Sequence, residues 1–155
     1  MTISEITSRI PHRSSMLLLD RVHFLVPGSH AIASKAVTAT EWCYESEATR
    51  REYGYPIGLV LESFNQTAAL LTTHDNRSVG GRGAVVSVLG SYTDVHIEGT
   101  VYPGDVMVHH AIAAGSLGGA EFFTGTTSVN GTVILRVERS VLARRDAALL
   151  PDYPA

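Results

Sequence analysis

One cysteine, one lysine and no long apolar run are what this 155-residue chain has least of. Cys43 alone excludes an internal disulfide and any cysteine-based metal cluster, which fits a reducing compartment. No segment reaches the roughly 18 uninterrupted apolar residues that a membrane helix needs. The opening MTISEITSRI has neither the basic start nor the apolar stretch of a signal peptide. A cytoplasmic protein that does not act on membranes is expected. Basic runs are missing too: the net charge is -3, and nothing offers a footprint for nucleic acid. Lys35 stands against eleven arginines, and no function is read from that bias. What the chain does have is apolar material, 45% of its residues against 17% charged. That suffices for one core, and a single domain over 1–155 with a tail at 146–155 is expected.

Thr2 and Glu5 have the spacing of a capping box, so a short helix over 3–9 is predicted, ended by Pro11. The run MLLLDRVHFLV over 16–26 reads as a buried strand. Pro27-Gly28 then turns the chain into an alternating stretch over 30–40. Residues 41–55 read as a loop with at most a turn of helix. Pro56 sits where a first-turn proline belongs, and Leu61, Phe64, Ala68 and Leu71 recur at helical spacing, which predicts a largely surrounded helix over 57–74. Strand-like segments follow at 84–97, 106–113, 121–129 and 132–143. Asn130-Gly131 between the last two signals a tight hairpin. One long helix and five or six strands, most of them following the helix without crossovers, predict an α+β layer architecture, an antiparallel sheet wrapped around a long central helix.

Glu62 is the one carboxylate in the apolar helix YPIGLVLESFNQTAALL. Buried carboxylates are rare unless paired, so two readings stand. Glu62 is a general acid/base whose pKa is raised by its apolar surroundings, or a polar residue facing a loop or an arginine. Gln66, one turn on, is placed either to orient that carboxylate or to serve as ordinary polar lining. His109 and His110 are adjacent on a strand and so point to opposite faces. With no other cluster in view, no metal is expected.

Three stretches carry a family resemblance. IPHRSSMLLLDRV (10–22) resembles the P-H-R-x-P-F-L-L-x-D-R-V signature of bacterial FabZ-type 3-hydroxyacyl-acyl carrier protein dehydratases, with Ser15 and Met16 in place of Pro and Phe. PIGLVLESFNQTA (56–68) is similar to the family's P-G-V-L-x-x-E-A-x-A-Q helix start, and VYPGD (101–105) to its V-x-P-G-D. The resemblance implies a hotdog fold, a dimer as the minimum unit and possible higher oligomers. It also implies acyl thioesters carried on the phosphopantetheine of an acyl carrier protein or coenzyme A, with no cofactor bound to the protein itself. In such dehydratases a His from one chain and a helix Glu from the other remove water, and Glu62 takes the place of that Glu. The family's amide after the Pro holds the thioester carbonyl. Here that position is Ile57, followed by Gly58, and free amides at a helix start stabilise developing negative charge whatever their side chains.

The family's histidine is the departure. It stands in G-H-F-P fourteen residues before the Glu, where this chain has Ala48, and no histidine lies between His30 and His74. Tyr53, Tyr55, Glu47, Glu52 and His74 are candidates for its work. Tyr55, beside Pro56, is placed as a proton donor to a leaving hydroxyl. His74 reads as a helix C-terminal cap, His12 as structural, and Arg50-Arg51 as a solvated loop or a contact to a carrier protein or its phosphate. Three functions remain: a dehydratase of a specialised polyketide or fatty acid pathway; a hotdog thioesterase using Glu62; or the His-lacking subunit of a heterodimer whose paralogue carries the histidine.

Overall fold

The computed structural model describes residues 1–45, 52–72 and 85–146. The elements are α1 (Ile3–Thr7), β1 (Arg21–Val26), β2 (His30–Ala36), α2 (Ile57–Ala69), β3 (Val85–Ile97), β4 (Val106–Leu117), β5 (Ala120–Val129) and β6 (Thr132–Asp146). Six antiparallel strands form one sheet in the order β1-β2-β4-β5-β6-β3. The sheet packs on α2, the architecture expected from the element order. No helix among the described residues is long and apolar enough to cross a membrane.

The capping box forms as read: the Glu5 amide donates to Thr2 Oγ1 and the Thr2 amide to Glu5 Oε2, although α1 stops at Thr7. Asn130 and Gly131 take φ of 50° and 81°, as a tight two-residue hairpin requires. Gly118 and Gly119 do the same between β4 and β5, so β4 runs to Leu117, past the expected end at 113. α2 is shorter than 57–74: it ends at Ala69 and tightens into a 3₁₀ turn, Leu70–Thr72. Asp146, assigned to the tail, closes β6, and the rest of the tail lies outside the described residues.

Residues 16–26 do not form the single buried strand expected of them. Only Arg21–Val26 is strand, at the sheet's edge and mostly exposed. The apolar run before it, with Leu18 and Leu19 buried, lies along α2 as an extended strap. At Leu18 and the Met16 carbonyl its backbone is satisfied by helix side chains rather than a strand partner, while the Met16 and Leu17 amides bond to the carbonyls of Arg13 and Ser14. The Leu18 amide donates to Gln66 Oε1 at 2.9 Å, Ser63 Oγ donates to the Leu18 carbonyl at 2.6 Å, and Gln66 Nε2 donates to the Met16 carbonyl at 2.8 Å. Hydrophobicity and burial are as expected; the pairing is not, because a buried amide needs a partner and a side chain serves.

Gly125 of β5 faces both β4 and α2 at short range. A methyl group there would overlap the His110 carbonyl and approach the Phe64 ring to 2.9 Å. The sheet's curl thus depends on a missing side chain opposite the fully buried Phe64.

Candidate active site

α2 begins where VYPGD holds the chain. The Tyr55 amide donates to the Val101 carbonyl at 2.8 Å, and Asp105 folds the turn by accepting the Tyr102 amide at 2.8 Å. Pro56 caps the helix by its backbone alone: its carbonyl accepts the Leu59 and Val60 amides. The amides of Ile57 and Gly58 make no hydrogen bond among the described residues, and both residues are exposed.

Glu62 lies between that helix start and the strap. Its Oε1 accepts from Gln66 Nε2 at 2.9 Å and lies 3.0 Å from His12 Nε2; the side chains of His12 and Glu62 are 27% and 25% exposed. Oε2 takes no hydrogen bond among the described residues. Burial pushes the Glu62 carboxyl up, but hydrogen bonds from His12 and Gln66 outweigh it, and the net result is a pKa below the ordinary carboxylate value. The raised pKa expected from the apolar surroundings is therefore corrected, because the helix and the strap supply two donors that the local sequence does not reveal. A carboxylate can only accept, so His12 Nε2 carries the proton of that contact.

His12, read as structural, is thus the residue brought to Glu62. It sits in a turn held by Arg13, whose guanidinium donates to the carbonyls of Thr7, Ile10 and His12, each at 2.7 Å. Ser14 follows in the left-handed region (φ 49°), and Trp42 Nε1 donates to the Ser15 carbonyl at 3.2 Å. No periodicity links residue 12 to residue 62. The one signal in the sequence is a polar P-H-R at the head of an apolar run.

Tyr55 does not bring a free proton to the site. Its buried hydroxyl donates to Glu41 Oε2 at 3.0 Å, and burial, with the Glu41 charge beside it, pushes its pKa far up. Glu41 also accepts from Lys35 and the Thr38 amide, each at 3.0 Å, so Tyr55 belongs to a network that fastens the loop before α2. The expectation that Tyr55 protonates a leaving hydroxyl is corrected for that reason. Tyr53 is exposed and tilted against the Tyr44 ring, and Glu52 is exposed. Glu47, Ala48, Arg50, Arg51 and His74 lie outside the described residues. A cavity of about 170 Å³ is lined by Gly28, Leu71, Glu121 and Phe123 among others, and Glu62 is not part of it.

His109 and His110 do face opposite ways. His109 is fully buried, His110 exposed. Both nitrogens of His109 are used: Nε2 lies 2.7 Å from Ser63 Oγ and Nδ1 2.8 Å from Thr127 Oγ1. Burial lowers its pKa to about 3, so it stays neutral. Among the described residues no group of three His, Cys, Asp or Glu side chains is poised for a metal.

No protein-family model matches the chain. It is 31% identical over 132 residues to the 3-hydroxyacyl-[acyl-carrier-protein] dehydratase FabZ of Paramagnetospirillum magneticum, covering 85% of this chain and 80% of that protein. The chain belongs to the FabZ dehydratase family. The FabZ of a Roseiflexus species is 31% identical over 140 residues, 89% of this chain and 93% of its own. Among solved structures, the dehydratase heterocomplex ApeI:P from Xenorhabdus doucetiae superposes with a TM-score of 0.72 at 15% identity, over 91% of both chains. A hypothetical thioesterase with coenzyme A from Streptococcus pneumoniae gives 0.59 at 9% identity, over 81% of this chain and 85% of its own. These place the fold as hotdog. Seen against FabZ, the P-H-R strap, the Glu-bearing helix and the P-G-D turn are three parts of one assembly. The turn sets the helix start, the helix carries Glu62, and the strap is bonded along the helix.

Proposed function

We propose that this chain removes water from 3-hydroxyacyl thioesters carried on the phosphopantetheine of an acyl carrier protein, in the cytoplasm. Glu62 is its central acid/base, and the Ile57 and Gly58 amides hold the thioester carbonyl. One observation carries the reading: an ionised carboxylate with one oxygen uncommitted, on a helix whose first amides are free. Elimination needs a base for the Cα proton and donors for the charge that develops on the carbonyl, and each positioned group contributes about 10²–10⁴ in rate. Ser15, Met16 and Ala48, where FabZ has other residues, support a specialised pathway such as polyketide or modified fatty acid assembly.

A dimer is the working unit. β3 ends the sheet order and exposes Val88, Leu89 and Ile97. Its Tyr92 hydroxyl donates to the Leu61 carbonyl at 2.9 Å, beside Glu62. A second chain paired there would close over the site and support an acyl channel. The test is to incubate the chain with a 3-hydroxyacyl carrier protein: loss of one water by mass, abolished by Glu62→Gln, is expected. Release of free thiol instead of water would identify a hydrolase. No change, alone or with a His-bearing paralogue, removes the proposal. A second reading, the His-lacking subunit of a heterodimer, is favoured by Ala48 and by the ApeI:P neighbour being a heterocomplex. Under it, turnover begins only when the paralogue is added.

A further inference from the structure

Dehydration needs two proton-transferring groups, and the family's histidine position is Ala48 in this chain. We propose that His12, on the N-terminal strap of the same chain, is the second group, so that one chain carries both members of the pair. This rests on the dehydratase reading above.

The chain contains a control for what a structural histidine looks like. His109 is wholly buried, with Ser63 on one nitrogen and Thr127 on the other. His12 differs on each count. It is about a quarter exposed, its Nε2 faces the Glu62 carboxylate at 3.0 Å, and its Nδ1 is shielded from water with no hydrogen-bond partner. An imidazole fixed through one nitrogen by a carboxylate, with the other nitrogen uncommitted, is arranged to handle protons. The strap that presents it is fastened at several points. Arg13 grips three carbonyls, Trp42 holds Ser15, and Gln66 and Ser63 bind Met16 and Leu18 along α2. Gln66 joins the two halves, since it binds both the strap and Glu62. The left-handed Ser14 directly after the P-H-R is a backbone cost borne at this turn.

Glu62 Oε2 takes the Cα proton, the Cα–H electron pair becomes the Cα=Cβ bond, and the Cβ–O bond breaks. The departing oxygen takes the proton from Nε2 of the protonated His12 ring, the nitrogen that faces the Glu62 carboxylate, and leaves as water. Glu62 then passes the proton it took back to His12 Nε2 across their 3.0 Å contact, which restores both groups.

The test compares the wild-type chain alone, His12→Ala and His12→Gln on a 3-hydroxyacyl carrier protein. The wild type should turn over without any other chain. His12→Ala should lose about 10²-fold or more in kcat with KM little changed, and added imidazole should restore part of the loss. His12→Gln keeps an N–H toward Glu62 but cannot transfer a proton. It should melt like the wild type and lose kcat to the same extent. If His12→Ala does not fold, His12→Gln decides alone. A variant with wild-type kcat overturns the proposal. So does a wild type that works only with a His-bearing paralogue, which would leave the dehydratase reading standing. A wild type silent even then sinks both.

Discussion

Gln66 shows how much one side chain carries. Fully buried, it accepts the Leu18 amide and donates to the Met16 carbonyl and to Glu62 Oε1. Gln66→Leu would leave a buried amide and a carbonyl unpaired, each at a cost of about 1–3 kcal/mol. It would also take away one of the two donors that hold the Glu62 carboxyl down. The variant is therefore expected to unfold at lower denaturant concentration. The pH series adds a sign. A carboxyl with a depressed native pKa contributes stability that is present above its ordinary value of 4.5 and is lost as pH falls through the native value. Gln66→Leu should narrow that window, and a variant with wild-type stability at every pH would show that these three bonds do not matter. The contact from Gln66 to Glu62 was legible, because residues one turn apart on a helix are neighbours. The two to the strap were not: they join positions 48 and 50 apart, and nothing local marks them.

At the scale of elements, what could be read was what local chemistry decides. The capping box, the Asn130-Gly131 turn and the helical recurrence of α2 are short-range signals, and each appears where expected. The apolar run at 16–19 misleads, because a segment buried on a helix and one buried in a sheet have the same composition; only the partner of its backbone differs. Gly125 is a second such case, since a glycine in a strand pattern does not say what lies opposite. Opposite it are the His110 carbonyl of β4 and the Phe64 ring of α2, so Gly125→Ala forces β5 away from both. Overpacking of this kind costs about 1–3 kcal/mol, occasionally more. Calorimetry should find a clearly lowered Tm, and an unchanged one would mean that the sheet moves freely against the helix.

For the whole molecule, the element order gave an antiparallel sheet around one helix, while the strand order and the meeting of strap and helix depend on long-range packing. The buried polar line through the middle was equally hidden. It runs from the Leu18 carbonyl through Ser63 and His109 to Thr127, tying strap, α2, β4 and β5 together. Ser63 gives its proton to Leu18, so His109 donates from Nε2, and in the neutral ring that burial enforces Nδ1 accepts from Thr127. A protonated ring would leave the line with one proton too many in a site closed to water. The native pKa of about 3, against 6.5 for an ordinary histidine, expresses that cost. As pH falls below 6.5 the unfolded chain binds this proton and the folded chain does not. Stability is therefore full above 6.5 and declines by about 1.4 kcal/mol per pH unit toward the native value. Denaturant unfolding at a series of pH values from 7.5 to about 4.5 should show that slope, and His109→Gln, though less stable at neutral pH, should flatten it. An equal slope in both proteins would assign the acid sensitivity to other groups and remove His109 as the point at which the core resists protonation.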